Sequence, residues 1–147
     1  MPGFIARADV EIDASPDRVW EVITMRASEV TFGAQVTSDW RVGSQVIWAG
    51  ERDGERFEDT GEVLDAVAPY RLMLTHVGGR PGETAPHRIT YELSGSGDGT
   101  RLELSQDGNP SDGAAGEASA RWHEHLEAVK RRAELPATGA TPVRRPV

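Results

Sequence analysis

Apolar and polar residues alternate from the start of the chain. Ala6, Ala8, Val10 and Ile12 share one parity, while Arg7, Asp9 and Glu11 take the other. A period of two predicts a half-buried strand over residues 4–13. The period then changes. Ser15 is a good N-cap, Pro16 suits the first helical position, and Val19, Val22 and Ile23 supply the apolar stripe of a short helix. Arg18 stands where a capping box would place Glu or Gln. Residues 26–33 are expected to form a second short helix, ending before Gly33.

From there to residue 106 the pattern is that of strands punctuated by turns, with candidate strands at 35–38, 44–50, 56–67, 71–77, 87–94 and 100–106. The expected inward sets are Val46 and Trp48; Phe57, Asp59, Gly61, Val63 and Val67; Leu72, Leu74 and His76; Ile89, Tyr91 and Leu93; and Leu102, Leu104 and Gln106. Asp53-Gly54 marks a tight hairpin, Pro69 ends the long strand, and residues 78–86, rich in Gly and Pro, read as a loop. Asn109-Pro110-Ser111 closes the sheet and caps a long helix reaching about Glu134. Its stripe of Ala115, Ala118, Trp122, Leu126, Val129 and Ala133 follows spacings of three and four. Residues 136–147, mostly Pro, Thr, Ala, Gly and Arg, have almost nothing to bury and are expected to be a disordered tail.

Composition narrows the function classes. With 147 residues the chain suits one domain, expected over residues 1–135. The net charge of −8 disfavours nucleic-acid binding, which needs a basic face. Lys130-Arg131-Arg132 complements the dipole of the last helix. The absence of cysteine excludes disulfides and thiolate metal sites. No apolar run is long enough to span a membrane, and residues 1–7 lack a signal-peptide core. A cytoplasmic location without membrane insertion is expected. Trp122-His123-Glu124-His125 is no zincin motif: its histidines are two apart on a helix, and Glu127 stands where the second ligand belongs. Neither a metal nor a cofactor is expected.

The strings Asp39-Trp40-Arg41-Val42-Gly43-Ser44, Trp48-Ala49-Gly50-Glu51, Gly61-Glu62-Val63-Leu64-Asp65, Leu72-Met73-Leu74-Thr75-His76 and Gln106-Asp107-Gly108-Asn109-Pro110, in this order, resemble the SRPBCC (START/Bet v 1-like) superfamily. They are most similar to its AHSA1-like branch, named after the Hsp90-ATPase-activator C-terminal domain. The resemblance implies an α+β helix-grip fold: a bent antiparallel β-sheet around a long C-terminal α-helix, two short helices after the first strand, and a cavity between sheet and helix.

Given that fold, inward parity assigns Trp48, Phe57, Val63, Leu74, Tyr91, Leu93 and Leu104 to the cavity wall, with Trp122 and Leu126 from the helix and Phe32 closing one end. Asp59, His76 and Gln106 are the inward polar residues, which need partners or a ligand's polar group. His125 borders the inward stripe, and His123 is expected to pair with Glu127 on the surface. The leading expectation is a monomer or homodimer binding a small hydrophobic or aromatic molecule, more a binding protein than an enzyme. The alternatives are a cyclase/aromatase- or hydrolase-type enzyme using His76, Asp59 or Tyr91, and an Hsp90-cochaperone-like interaction module.

Overall fold

The computed structural model describes residues 4–31, 33–78 and 86–135. Phe32 and the expected tail at 136–147 lie outside them, as does most of the expected loop at 78–86. The elements run β1 (Phe4–Ile12), α1 (Pro16–Ile23), α2 (Ala27–Val30), β2 (Ala34–Thr37), β3 (Gln45–Arg52), β4 (Glu55–Val67), β5 (Arg71–His76), β6 (His87–Ser96), β7 (Gly99–Asn109) and α3 (Asp112–Glu134). The strands form one antiparallel sheet in the order β1-β7-β6-β5-β4-β3-β2. This is the helix-grip fold that the resemblance implies.

Local chemistry sets most boundaries. Ser15 Oγ accepts from Arg18 N at 3.2 Å, and Ser111 Oγ accepts from Ala114 N at 3.0 Å, so both longer helices open on a side-chain cap. The β3–β4 hairpin turns through Asp53 and Gly54, both at positive φ, which matches the right-handed twist of the flanking strands. The second short helix is only four residues long, shorter than the expected 26–33.

β4 departs from its expected parity. The register with β5 shifts between Val63 and Asp65, so the strand carries an extra residue there. Val63 is fully buried, but Val67, expected on the same face, is 53% exposed.

The core is a single apolar cluster drawn from α1, α3 and the concave face of the sheet. Val63, Leu93, Leu104 and Leu126 all belong to it. Arg18 ties α1 to the end of α3: its guanidinium donates to the carbonyls of Ala133 and Arg132 at 3.3 Å and of Leu135 at 3.4 Å, and pairs with Glu21 at 3.0 Å. This explains why position 18 carries Arg rather than a capping-box Glu. Its side chain serves the orphan carbonyls of another helix.

Both margins of the sheet are covered by side chains from helices. On β1, Arg7 N donates to Ser119 Oγ and the Glu11 carbonyl accepts from Lys130 Nζ, both at 3.0 Å. Just beyond the strand, Asp13 N donates to Glu134 Oε2 at 2.7 Å. On β2, Ser28 Oγ accepts from Val36 N at 2.8 Å and donates to the Val36 carbonyl at 3.3 Å. No helix among the described residues is long and apolar enough to cross a membrane.

Candidate functional site

Where the sheet curves away from α3, a cavity of about 680 Å³ remains. Its walls come from α1, α2, β2, β3, β4, β5, β6, β7 and α3. Of the residues that parity placed inward, Trp48, Phe57, Asp59, Leu74, His76, Tyr91, Gln106 and Trp122 line it. Leu104 and Leu126 do not: they are 2% and 0% exposed and pack within the solid core behind it, as do Val63 and Leu93.

The wall is built on the β3–β4 ladder. Trp48 pairs in register with Asp59, Gly50 with Phe57, and Arg52 with Glu55, so one inward row runs from the sheet's middle to the hairpin tip. Gly61 makes space for it. A Cβ there would lie 1.9 Å from the Thr75 carbonyl oxygen and 3.1 Å from the Trp48 ring, so only glycine lets β5 and the indole close in together.

Asp59 and His76 come together. His76 Nε2 lies 3.0 Å from Asp59 Oδ2, and the His76 ring stands edge-on to Trp48 at 4.9 Å between centroids. A carboxylate can only accept, so Nε2 carries the proton and donates. The other ring nitrogen, Nδ1, is buried and has no hydrogen-bond partner among the described residues.

Tyr91 does not join that pair. Its hydroxyl lies 3.0 Å from Nε2 of His125, and His125 Nδ1 lies 2.9 Å from the Val30 carbonyl. The carbonyl has no proton to give, so Nδ1–H donates to it, and the bare Nε2 accepts from the hydroxyl. Burial pushes the His125 imidazole below its ordinary value, partly opposed by the Val30 carbonyl, and holds the Tyr91 hydroxyl far above its own. Both groups are therefore neutral at pH 7. A third pair fixes the helix wall: Trp122 Nε1 donates to Gln106 Oε1 at 2.9 Å, and the Trp122 ring meets His125 edge-on at 5.6 Å.

Several lining residues escaped the parity argument. His125 is 8% exposed and central rather than peripheral. Its signal was available, because Ala118, Trp122, His125 and Val129 are spaced four, three and four apart on one helical face. Arg52 shares the parity of Trp48 and reaches the cavity, its guanidinium 4.2 Å over the Phe57 ring. Arg121, Trp40, Ile23 of α1, Thr31 and the α2 residues Ala27 and Val30 belong to the part of the wall that strand parity could not assign. His123 pairs with Glu127 at 3.6 Å on the exposed face of α3. Among the described residues no group of three or more His, Cys, Asp or Glu is placed to hold a metal ion.

This architecture has solved counterparts. The solution structure of ChR145 from Cytophaga hutchinsonii is 31% identical, with 91% of this chain and 96% of that one covered at a TM-score of 0.76. CalU16 from Micromonospora echinospora is 23% identical over 89% of this chain and 84% of its own, at a TM-score of 0.65. The Aha1 dimer from Colwellia psychrerythraea is 16% identical over 90% and 97%, at a TM-score of 0.70. None of the curated proteins matches the chain. Residues 13–134 match the family described as Activator of Hsp90 ATPase homolog 1-like protein, and the chain belongs to that family.

Proposed function

We propose that the protein binds a small apolar or aromatic molecule in the cavity between the sheet and α3. The observation that carries this reading is the cavity itself. At about 680 Å³ it falls in the 300–1,000 Å³ range of small-molecule sites, and it has aromatic walls in Trp48, Phe57 and Trp122. Its inner polar groups are paired with one another, as Asp59–His76, Tyr91–His125 and Gln106–Trp122. An apolar ligand can thus enter without orphaning them.

The test is titration of the purified protein with the neutral dye N-phenyl-1-naphthylamine, together with native mass spectrometry for a co-purified small molecule. Dye fluorescence should rise saturably, and Trp122→Phe should weaken binding while leaving the fold intact. If the dye finds no site and no small molecule co-purifies, the reading fails.

A second reading rests on the Asp59–His76 contact, which is the arrangement of a histidine oriented for proton transfer in a cyclase- or hydrolase-type enzyme. Against it, Nε2 is engaged by Asp59 and the remaining nitrogen is enclosed by protein. Binding is therefore the better-supported function. His76→Ala separates the two: as a carrier the protein keeps its affinity for the neutral dye within a few-fold, because neither ring nitrogen is free to bond an apolar ligand, whereas as an enzyme it loses turnover while binding persists.

A further inference from the structure

We infer that the molecule taken up by this cavity carries an anionic group, a carboxylate or a sulfonate-like acid on an aromatic body, held at the mouth by Arg52 and Arg121. The inference rests on the binding function proposed above and adds the ligand's charge.

The chain as a whole is acidic, at −8. The cavity has the opposite balance. Among its described lining residues the formally charged ones are Arg52, Arg121 and Asp59, and Asp59 is already engaged by His76. Some arginines elsewhere are matched to carboxylates, as Arg26 is to Glu21 and Glu29, Arg71 to Asp65 and Glu92, and Arg101 to Asp9, Glu11 and Glu103, while Arg7, Arg41, Arg56, Arg88 and Arg131 make no such pair among the described residues and do not line the cavity. Arg52 and Arg121 have no carboxylate partner among the described residues. Glu55 stands opposite Arg52 in the ladder but makes no ion pair with it.

The placement of Arg52 is specific. Its guanidinium carbon lies 4.2 Å from the centroid of the Phe57 ring, a group that itself lines the cavity. A cation–π contact of this kind holds the guanidinium beside the ring and leaves its N–H donors available for a planar acid. Arg121 precedes Trp122, whose indole is anchored by Gln106, on the opposite wall. Both arginines are exposed, while the aromatic lining residues Trp48, Phe57 and Trp122 are half-buried. That polarity matches an amphipathic ligand with its ring inside and its acid outside.

The test compares two dyes with one skeleton, the neutral N-phenyl-1-naphthylamine and the anionic 8-anilinonaphthalene-1-sulfonate, on the full chain. Arg52→Gln and Arg121→Gln should each weaken binding of the sulfonate about fivefold, as loss of one partly exposed ionic contact would. Binding of the neutral dye should be unchanged. Arg131→Gln, an exposed α3 substitution away from the cavity, should change neither dye's affinity, and circular dichroism of all variants should match. If sulfonate affinity is unaffected by Arg52→Gln and Arg121→Gln while the neutral dye still binds, the charge inference is wrong and the binding function stands. An equal loss in Arg131→Gln, reflecting overall charge alone, would also overturn it. Failure of both dyes to bind overturns the binding function itself.

Discussion

Tyr91→Phe tests the hydrogen-bonded wall directly. The substitution keeps the ring and removes one oxygen, which lies 3.0 Å from His125 Nε2. His125 cannot turn to find another partner, because its Nδ1–H is committed to the Val30 carbonyl at 2.9 Å. Tyr91 and His125 are 7% and 8% exposed, so bulk water does not reach the orphaned lone pair freely. The cost of a buried unsatisfied acceptor is about 1–3 kcal/mol. Both side chains face the cavity, where a water can take over part of the bond, which places the expected loss in the lower half, about 1–2 kcal/mol. With urea m-values of about 1–3 kcal/mol per molar, the unfolding midpoint should fall by about 0.5–1 M at unchanged m. Tryptophan fluorescence and far-UV circular dichroism at pH 7.5 both report it. His125→Leu completes a double-mutant cycle. Removing both partners leaves neither end of the Tyr91–His125 bond orphaned, and the Val30 carbonyl loses its donor equally in His125→Leu and in the double variant, so the double variant should cost less than the sum of the singles. A midpoint within about 0.2 M of the wild type, judged against the usual urea slope, or strict additivity in the cycle, would refute the reasoning.

Because burial lowers the His125 pKa from its ordinary 6.5, the folded state disfavours its proton. Stability should be flat above about pH 6.5 with respect to this group and fall as pH drops below that value, by at most about 1.4 kcal/mol per pH unit, a loss missing from His125→Gln. Wild-type and His125→Gln midpoints that run parallel from pH 7.5 to 5 would contradict this. Gly61→Ala drives a Cβ to 1.9 Å from the Thr75 carbonyl and should cost at least the 1–3 kcal/mol (roughly) of overpacking, with a change in Trp48 emission. Gly95→Ala, with open space around it, should stay within about 0.5 kcal/mol of wild type in the same urea titration. Arg18→Met keeps much of the side-chain bulk but frees the last carbonyls of α3, and should lower stability by about 1–2 kcal/mol while leaving dye binding intact.

Strand parity carried the reading of the sheet a long way, and the places where it stopped have physical causes. Trp48, Phe57, Asp59 and His76 reach the cavity because period-two alternation is enforced wherever one face is buried. Val67 breaks the rule because an extra residue near Leu64 resets the phase, and nothing in Val63-Leu64-Asp65 marks a bulge. Leu104 and Leu126 were placed on the right face but at the wrong depth. Parity tells in from out, and it does not tell the packed end of the concave face from the hollow one. His125 sat on the apolar stripe of α3 in plain sequence spacing. Its burial depends on a hydroxyl 34 positions away and a carbonyl 95 positions away, which only the fold brings together.

The two covered margins of the sheet bear on how this molecule behaves in company. A β-strand with unpaired amides at the rim is a template for another chain, and natural sheets suppress that danger in various ways. Here the means are individual side chains: Ser28 occupies both backbone groups of Val36 on one rim, and Ser119, Lys130 and Glu134 occupy groups along the other. Growth by strand addition is thereby opposed at both ends, so a second copy of the chain would find its natural contacts on faces rather than along rims. The same hydroxyls are small enough to be lost by one-atom changes. Ser28→Ala and Ser119→Ala would leave the hollow interior untouched while freeing backbone groups on each rim, and the doubly changed protein should self-associate more readily in light scattering.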